Sequence, residues 1–385
     1  MTPLLARWGE GAAPILSSAD GMFTFHPRGR ILLDISGTTG SRFGQRDYAT
    51  TGARTLRLGA DGMIGRRLSY VFEADFSQDS VNVLSAYVGW HSPATCRIRY
   101  EVRIGNLFLD RGVDAASGPD AVPFLDRNTT GTTIAPRVGF YAFGLMGIAS
   151  GPNWHMSLST TGDDIDGKTA VRDSWAQVAR AHWDPVFQER RFLHLGGWAF
   201  AEQFSPAVLD AGRSSQIGGR FNSMLRIQSG PILGATGSDG EGGEIGGGVG
   251  SAWLMAEGGR RHIHVRDAHD VAASAWSIAG GYFLTGEAPE YSSRYGTFVH
   301  PKVRHTVFEG GPGAIELTAR YERLDYTGLV SGGRGWAATL GTNWYLNPFV
   351  RLMVNYIHWD VTSLVPPFIG TDNGDSLSAR AQLTF

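Results

Sequence analysis

A two-residue alternation of apolar and polar side chains recurs along this chain in segments of about ten residues, and it restricts the folds open to the chain. The clearest segment spans residues 96–105. Its apolar face carries Cys96, Ile98, Tyr100, Val102 and Ile104, and its charged face carries Arg97, Arg99, Glu101 and Arg103. A strand separates the two sets onto opposite faces, whereas a helix would scatter the charges around its surface. The segment is therefore predicted to be a two-faced β-strand.

Four further segments alternate in the same way. They cover residues 67–76, 260–266, 314–321 and 376–385. The pattern predicts Ala74 on the apolar face of its strand. It predicts His262 and His264 on a polar, water-facing face, with Arg261 on the opposite face near a membrane interface. Repetition of the pattern through the chain predicts an all-β protein.

The same segments favour lipid over a soluble sandwich, in which strands also alternate. Aromatic residues cluster where strands should end, tight turns alternate with long loops such as the glycine-rich stretch 238–250, and the chain ends at the aromatic Phe385. No stretch reaches the roughly 18 to 20 apolar residues of a membrane helix. The longest is 138–149, which glycines interrupt. Only helices and closed barrels satisfy the backbone in lipid, so the pattern predicts a barrel.

One barrel accounts for the whole chain, because no linker or change of composition marks a second domain. At roughly ten residues per strand, 385 residues predict a transmembrane, antiparallel, up-and-down β-barrel of about 16 strands. Residues 1–27 are expected to form an N-terminal segment, partly extended or lumenal, and residues 28–385 to form the transmembrane barrel. Segment 107–133 is long and rich in Asp, Gly and Pro, so it is predicted to fold into the pore as a constriction loop.

The C-terminal part of the chain carries a series of specific motifs. In order, they are Tyr282–Glu287, Gly313–Leu317, Arg320–Tyr321, Asn343–Pro348 and Arg351–Tyr356. This series resembles the phosphate-selective porin O and P family of Gram-negative bacteria, and weaker similarity extends over most of the preceding chain. The resemblance implies a trimeric porin of the bacterial outer membrane with an inward-folded constriction loop. It also implies that lumenal arginines, aided by lysine clusters, select anions and hold phosphate.

The chain departs from that family in its basic residues. Arg54 and Arg57 match an arginine-rich strand, but Thr55 stands where a second adjacent arginine is usual. The only lysines are Lys168 and Lys302, so no lysine cluster can form. The sequence therefore supports a porin more strongly than it supports phosphate selectivity.

Arginine suits an anion channel because its planar fork donates paired hydrogen bonds and keeps its charge. Arg97, Arg99 and Arg103 are predicted to form a ladder on the lumen face of one strand, joined by Arg57 from a nearby strand. The expected anion-binding residues elsewhere in the chain are Arg111, Arg127 and Arg320. The alternative is that these arginines pair with acids such as Glu73 and only solvate the lumen.

These patterns predict an outer-membrane porin for passive uptake of phosphate or similar small anions, surrounded by outer-membrane lipid and lipopolysaccharide. The resemblance implies a homotrimer, and the terminal Phe385 resembles the signal read by the barrel assembly machinery. A formal net charge of −2 argues against binding nucleic acid. Two alternatives stay open, namely a porin of broader or different solute specificity and a non-conducting structural barrel of the envelope.

The sequence offers no case for an enzyme or a cofactor. It contains no nucleophile-elbow or H-E-x-x-H motif, and Gly242–Gly250 lacks the Lys-Ser/Thr of a phosphate-cradling loop. Cys96 is the only cysteine, which excludes a cysteine-based zinc cluster. His262 and His264 form an i, i+2 pair, but flanking arginines would repel a dication, so no metal site is predicted.

Overall fold

The computed structural model describes residues 5–8, 13–166, 172–266, 270–329 and 331–385. Within these residues, sixteen antiparallel strands form one closed sheet, because the last strand pairs with the first along its length. Each of these strands also pairs with its neighbour in sequence, which is the up-and-down order. The predicted all-β barrel and its strand number are confirmed.

The strands are labelled in chain order. Two short strands precede the barrel, β1 (Leu5–Trp8) and β2 (Pro14–Ser17), and β2 pairs with the start of β3. The barrel strands are β3 (Thr24–Thr39), β4 (Ala49–Ile64), β5 (Leu68–Asp75), β6 (Asn82–His91), β7 (Arg99–Phe108), β8 (Tyr141–Ser150), β9 (Trp154–Thr161), β10 (Trp175–Gln188), β11 (Arg191–Gln203), β14 (Ala235–Val249), β15 (Ala252–Val265), β16 (Val271–Phe283), β19 (Ala314–Asp325), β20 (Arg334–Tyr345), β21 (Val350–Ser363) and β22 (Gly370–Thr384). The boundary expected after residue 27 falls within β3.

Short elements lie between the barrel strands. They are the 3-10 helices Gly44–Arg46 and Val307–Glu309, the helices α1 (Val113–Ala116) and α2 (Thr129–Thr133), and the strand pairs β12 (Ser214–Gln216) with β13 (Arg226–Gln228) and β17 (Tyr291–Ser292) with β18 (Thr297–Phe298). Among the described residues, no helix is both long enough and apolar enough to span a bilayer.

The connections between strands differ in length at the two ends of the barrel. At the short-turn mouth, turns such as 189–190 and 250–251 join the strands. At the long-loop mouth, the connections include segments 109–140 and 204–234. Barrels of the outer membrane place short turns in the periplasm and long loops outside the cell. Segment 284–313 departs from this rule, because it is a long connection at the short-turn mouth, between β16 and β19.

Outward positions of the strands are mainly apolar, whereas most buried charged side chains of the strands point inward. In β22, Leu377 is 59% exposed on the outer wall, whereas Ser378 and Arg380 are buried inside. β19 repeats the pattern, with Leu317 outward and Glu316 inward. The alternation predicted for these two segments is confirmed, and it gives the barrel an apolar outer wall and a polar lumen wall.

The glycine-rich stretch 238–250 forms most of strand β14, so its prediction as a loop is wrong. Its lumen-facing glycines leave room for aromatic side chains of the neighbouring strand β11. A Cβ atom on Gly240 would lie 2.4 Å from the Phe200 ring, and one on Gly242 would lie 2.1 Å from the Trp198 ring. Glycine here permits close packing within a strand instead of a turn.

Two departures from regular strands occur near the segments predicted to alternate. Strand β7 begins at Arg99 instead of Cys96, so Cys96 and Arg97 lie in the exposed connection before it. Ala74 lies between Glu73 and Asp75, which both contact the lumen-facing Arg57, so it keeps the outward face that was predicted although it is only 2% exposed. The register shift between β5 and β6 leaves Leu84 of β6 as the extra residue, so it changes the alternation of β6 and not that of β5.

The two faces at the end of β15 are the reverse of the prediction. Arg261 is buried on the lumen side, where it donates to Ser238 Oγ at 3.2 and 3.0 Å. His262 and His264 lie on the outward side, and His264 Nε2 is 2.6 Å from a carboxylate oxygen of Asp239. The earlier outward positions of this strand are apolar or small, so its polar end projects beyond the apolar band of the wall, where water replaces lipid.

A buried ion pair joins the first and last barrel strands. Arg380 donates to both oxygens of Asp34, at 2.6 and 2.7 Å, and both side chains are almost completely buried. Replacing Asp34 with alanine leaves the Arg380 charge without its partner, so we expect Asp34→Ala to lower the free energy of unfolding by about 3–5 kcal/mol. Heat-induced unfolding in detergent, followed by circular dichroism, measures the change. Arg323→Ala, which breaks an exposed pair with Asp325, serves as the control and is expected to change less than about 1 kcal/mol; equal effects would contradict the prediction.

Candidate functional site

Segment 109–140 folds into the barrel and is held there by buried side chains of the wall. Glu257 accepts hydrogen bonds from the backbone of Val113 and Asp114, and Glu322 accepts one from Thr129 N at 2.6 Å. From β21, Arg351 donates to the carbonyl of Val122 at 3.0 Å. These contacts confirm that the predicted constriction loop is folded inward.

Local sequence explains how this segment turns inside the lumen. The side chain of Asn128 accepts a hydrogen bond from Gly131 N at 2.7 Å, which caps the start of α2. The Arg111 guanidinium donates to the carbonyl oxygens of Gly131 and Gly139. The segment therefore satisfies part of its backbone internally, and the wall satisfies much of the rest.

Segment 204–234 lies over segment 109–140, on the side of the long-loop mouth. Arg213 donates to the carbonyl oxygens of Thr133 at 3.2 Å and Pro136 at 2.5 Å, and Gln216 donates to Asp126 at 2.8 Å. Apolar side chains of this segment, among them Ile217 and Leu225, belong to the largest buried cluster of the described residues. The two segments together narrow the lumen from this mouth.

A small cavity remains between these two segments and the barrel wall, with about 70 Å³ of space for water-sized solutes. Its charged lining consists of four arginines and two carboxylates, which are Arg54, Arg127, Arg220, Arg320, Asp126 and Glu322. We name it the central arginine cavity. Strands β4 and β19 and both inward segments from the long-loop mouth contribute to it, so residues distant in sequence meet there.

The arginines of the central arginine cavity differ in how completely they are paired. Arg320 lies 2.9 Å from Glu322, donates to the Asp126 carbonyl at 2.8 Å and packs over the Phe124 ring. Arg54 and Arg220 reach only Asp126, at 3.7 and 3.6 Å, and Arg54 Nε is buried without a hydrogen-bond partner among the described residues. Two of the four guanidinium groups therefore keep donors free toward the cavity.

Arg127 is fixed by the backbone of its own segment. It donates to the carbonyl oxygens of Ser117 at 2.6 Å and Asp114 at 3.3 Å, and it packs over the Phe140 ring at 4.6 Å. No carboxylate lies within ion-pair distance of it among the described residues. Its charge is therefore held in place without being neutralised.

The carboxylate of Asp126 stays ionised within this group. Burial alone would raise the pKa of the Asp126 carboxyl, but Arg220, Arg54 and Arg380 outweigh burial and hold that pKa below its usual value. Ionised Asp126 partly balances the arginines around it. With Glu322 included, the cavity still carries more positive than negative side chains.

The predicted residues Arg57 and Arg103 face the lumen but are paired with acids. Arg57 is buried, donates to Asp75 at 2.9 Å and lies 3.5 Å from Glu73. Arg103 lies 2.5 Å from Glu101 and packs against the Tyr87 ring. These two arginines therefore fit the solvated-lumen alternative better than they fit an open anion site.

The other predicted residues do not come together as one ladder. Arg97 and Arg99 are exposed at the short-turn end of β7, away from the central arginine cavity. Arg111 is buried within its segment and donates to backbone carbonyls. Only Arg127 and Arg320 of the predicted set line the cavity.

The prediction from sequence missed Arg54 and Arg220 as lining residues. Arg54 lies on β4 in the arginine-rich stretch that resembles the family, so that resemblance offered a signal for it. Arg220 lies in segment 204–234, where alternation gives no information. Its position depends on how that segment folds over the cavity.

A closed barrel of sixteen strands, with an apolar outer wall and inward-folded segments in a polar lumen, defines a protein of the outer-membrane porin class. The chain belongs to the phosphate-selective porin O and P family, which matches residues 25–385. It is accordingly a protein of the bacterial outer membrane.

Individual relatives are distant. An uncharacterized protein of Caulobacter vibrioides is 26% identical over 418 aligned positions, which cover 97% of this chain and 76% of that protein. Among solved structures, OmpT of Vibrio cholerae is 14% identical with a TM-score of 0.59, covering 96% of this chain and 100% of that one. An anion-selective porin from Comamonas acidovorans is 12% identical with a TM-score of 0.55, covering 94% and 100%. At these identities, the two structures are evidence of the fold alone.

Proposed function

We propose that this porin forms a water-filled channel that prefers small anions such as phosphate and passes them by passive diffusion. The central arginine cavity is the observation that carries the proposal. It lies within the lumen, between the inward segments and the wall, and its four arginines outnumber its two carboxylates. An anion crossing this section meets an excess of positive charge in a confined space, which lowers its energy and raises that of a cation.

The arrangement of donors also suits exchange of hydration water. Arg54 and Arg220 hold Asp126 only at 3.6 to 3.7 Å, so their fork donors remain available to oxygen atoms of a passing anion. Glu322 and Asp126 limit the total positive charge. A site that attracts an anion without holding it too tightly favours conduction over permanent binding.

A second candidate is a porin with broader solute specificity. Arg57 and Arg103 are neutralised by carboxylates along the lumen wall, and Lys302 is the only lysine among the described residues because Lys168 lies outside them. A path in which positive side chains are mostly paired would discriminate weakly between solutes. A third candidate is a non-conducting barrel, because segments 109–140, 204–234 and 284–313 all make contacts inside the barrel.

Conductance across a planar bilayer tests these candidates. In a potassium chloride gradient, the expected reversal potential has the sign set by chloride, and added phosphate is expected to reduce the chloride current. A reversal potential with the sign set by potassium would contradict anion preference, and chloride current unaffected by phosphate would contradict phosphate binding. Swelling of liposomes in neutral sugars would favour the broader porin, and folded protein without channel current would favour the non-conducting barrel.

We propose further that the barrel assembles as a homotrimer. Strands β5 to β9 have eight to ten residues, whereas β19 to β22 have twelve to fifteen. The wall formed by β5 to β9 is therefore shorter along the barrel axis. Its outward side chains include Phe72, Val88 and Ile104, which a second copy could cover in place of lipid and lipopolysaccharide. Phe385, whose backbone pairs with Gly29, is proposed to contact the assembly machinery. The mass of the protein in mild detergent tests the trimer.

A further inference from the structure

A buried group of histidines and carboxylates lies in the lumen toward the short-turn mouth. The imidazole rings of His155, His182 and His194 follow one another across the neighbouring strands β9, β10 and β11, with centroid separations of 5.4 and 5.0 Å. Asp184 lies two residues after His182, so both side chains share the lumen face of β10. His182, Asp184 and His194 are buried and can each offer one ligand atom within 4.8 Å of the others.

Strand pairing and an inward segment create this arrangement. His182 pairs with Gly196 of β11, and the register between these strands shifts between Trp183 and Val186, which brings Asp184 beside His194. Segment 284–313 then covers the group from inside the barrel. Tyr291 Oη lies 2.5 Å from His194 Nδ1, and the Ser293 carbonyl lies 2.8 Å from His182 Nε2.

The two distances between the Asp184 carboxylate and the histidine nitrogens are close to the ligand separations around a tetrahedral ion. Asp184 Oδ1 lies 3.2 Å from His194 Nδ1, and Asp184 Oδ2 lies 3.6 Å from His182 Nε2. With metal–ligand bonds of about 2.0–2.1 Å, two ligands of a tetrahedral zinc ion are separated by about 3.4 Å. The observed separations lie on either side of that value. Two imidazoles and one carboxylate also form a ligand set that zinc accepts.

The charges around the group favour a divalent cation. Arg180 is the one guanidinium that forms described ion pairs here, with Asp110 at 2.8 Å and with Glu244 at 2.9 Å. Asp184 adds a third carboxylate, so neutral histidines leave two negative charges in a buried space. Uncompensated charge in such a space is costly, and one divalent ion would balance it.

The surroundings of His194 supply the outer support that metal-binding histidines usually have. When Nδ1 faces an ion, the opposite nitrogen Nε2 carries the hydrogen, and it lies 3.4 Å from Glu244 Oε1, which is an electrostatic contact without hydrogen-bond geometry. Arg180 donates to that same Glu244 oxygen at 2.9 Å, which fixes the carboxylate. A carboxylate behind the imidazole orients the ring and strengthens the nitrogen as a ligand.

We propose that His182 Nε2, His194 Nδ1 and a carboxylate oxygen of Asp184 bind one divalent transition-metal ion, with zinc as the best match. For Nε2 to bind the ion, the single ring hydrogen of neutral His182 has to lie on Nδ1 instead, so the hydrogen bond to the Ser293 carbonyl is given up. Segment 284–313 lies beside this ligand set and contributes the hydroxyl groups of Tyr291 and Ser293 and the Ser293 carbonyl as neighbouring oxygen atoms. An ion here would join three ligands of the wall to the segment that enters the short-turn mouth.

The test uses the full barrel refolded in detergent with zinc sulfate, because the buried ligands admit an ion most readily during folding. All variants carry His262→Ala and His264→Ala, which remove the exposed histidine–carboxylate pairs of the outer rim as a competing site. After exhaustive dialysis, elemental analysis is expected to find one zinc per chain. Asp184→Asn and His194→Gln are expected to lose it, while His155→Gln, which changes the neighbouring histidine outside the ligand set, retains it.

Cobalt provides a second measurement that does not depend on variants. Refolding with cobalt(II) is expected to give intense visible absorption from a four-coordinate site, which zinc then abolishes. Zinc content near zero after refolding would overturn the proposal and leave a network of hydrogen bonds. Equal zinc content in Asp184→Asn and the parent, or only the weak absorption of six-coordinate cobalt, would overturn it as well. Because neither readout involves conductance, failure here is separable from failure of the channel proposal.

Discussion

Replacing Arg54 and Arg220 with glutamine is expected to remove most of the anion preference of the channel. These arginines contact only Asp126, at 3.7 and 3.6 Å, and glutamine keeps hydrogen-bonding capacity while removing the charge. The double variant leaves Arg127 and Arg320 against Asp126 and Glu322, so the central arginine cavity becomes balanced. A charge about 4 Å away contributes about 4 kcal/mol at an effective dielectric constant of 20, and an ion in a wet lumen feels only part of that.

We therefore expect the ratio of chloride to potassium permeability to fall roughly tenfold or more in Arg54→Gln/Arg220→Gln. Reversal potentials in a salt gradient measure the ratio directly. Arg97→Gln/Arg99→Gln is the matched control, because it also removes two positive charges, but at the exposed end of β7. A larger effect in the control than in the cavity variant would mean that the arginines of β7 carry the selectivity.

The fold could be predicted because lipid imposes its pattern residue by residue. Every outward position of a strand such as β22 meets hydrocarbon. Apolar residues at every second position, such as Leu377 and Ala379, therefore reveal the strand in the sequence. The prediction of a loop failed in stretch 238–250, because glycine is common in turns and is also required in a strand where neighbouring side chains pack closely. The strand there depends on aromatic side chains of β11 that only the folded barrel brings close.

The site was harder to predict because alternation gives the face of a side chain and not its depth along the barrel. Arg103 and Arg320 both lie on lumen faces, yet only Arg320 reaches the central arginine cavity. Depth depends on where each strand begins, and β7 begins later than predicted. The rest of the cavity comes from inward segments, whose course is set by contacts such as that between Arg213 and Pro136.

Segment 284–313 is a third inward element that the sequence pattern did not reveal. It is expected to set the conductance of the channel at the short-turn mouth. It lies against lumen side chains of β9 to β11, where Arg180 donates to the carbonyl oxygens of Tyr295 and Gly296. It also reaches the constriction segment, because Ser117 Oγ accepts from Phe298 N at 2.9 Å and His300 contacts Asp120 at 3.0 Å. The segment therefore occupies cross-section that would otherwise hold water and ions.

Deleting residues 287–309 is expected to raise the single-channel conductance severalfold without unfolding the barrel. The remaining residues, from Leu284 to Gly286 and from Gly310 to Gly313, still connect β16 to β19, whose pairing begins at Phe283 and Glu316. Arg180 keeps its ion pairs with Asp110 and Glu244, and water entering the lumen solvates the groups that the segment had covered. The deletion therefore leaves no unpaired charge buried, because the space around these groups becomes aqueous.

Lys302→Gln/Arg304→Gln is the matched control for this deletion, since it changes the charge of the segment and keeps its bulk. We expect the deletion to raise conductance while the ratio of anion to cation permeability stays close to that of the parent, because the central arginine cavity is untouched. Unchanged conductance would place the narrowest section at that cavity instead. A rise in the control as large as in the deletion would show that charge at the short-turn mouth, and not obstruction, limits the current.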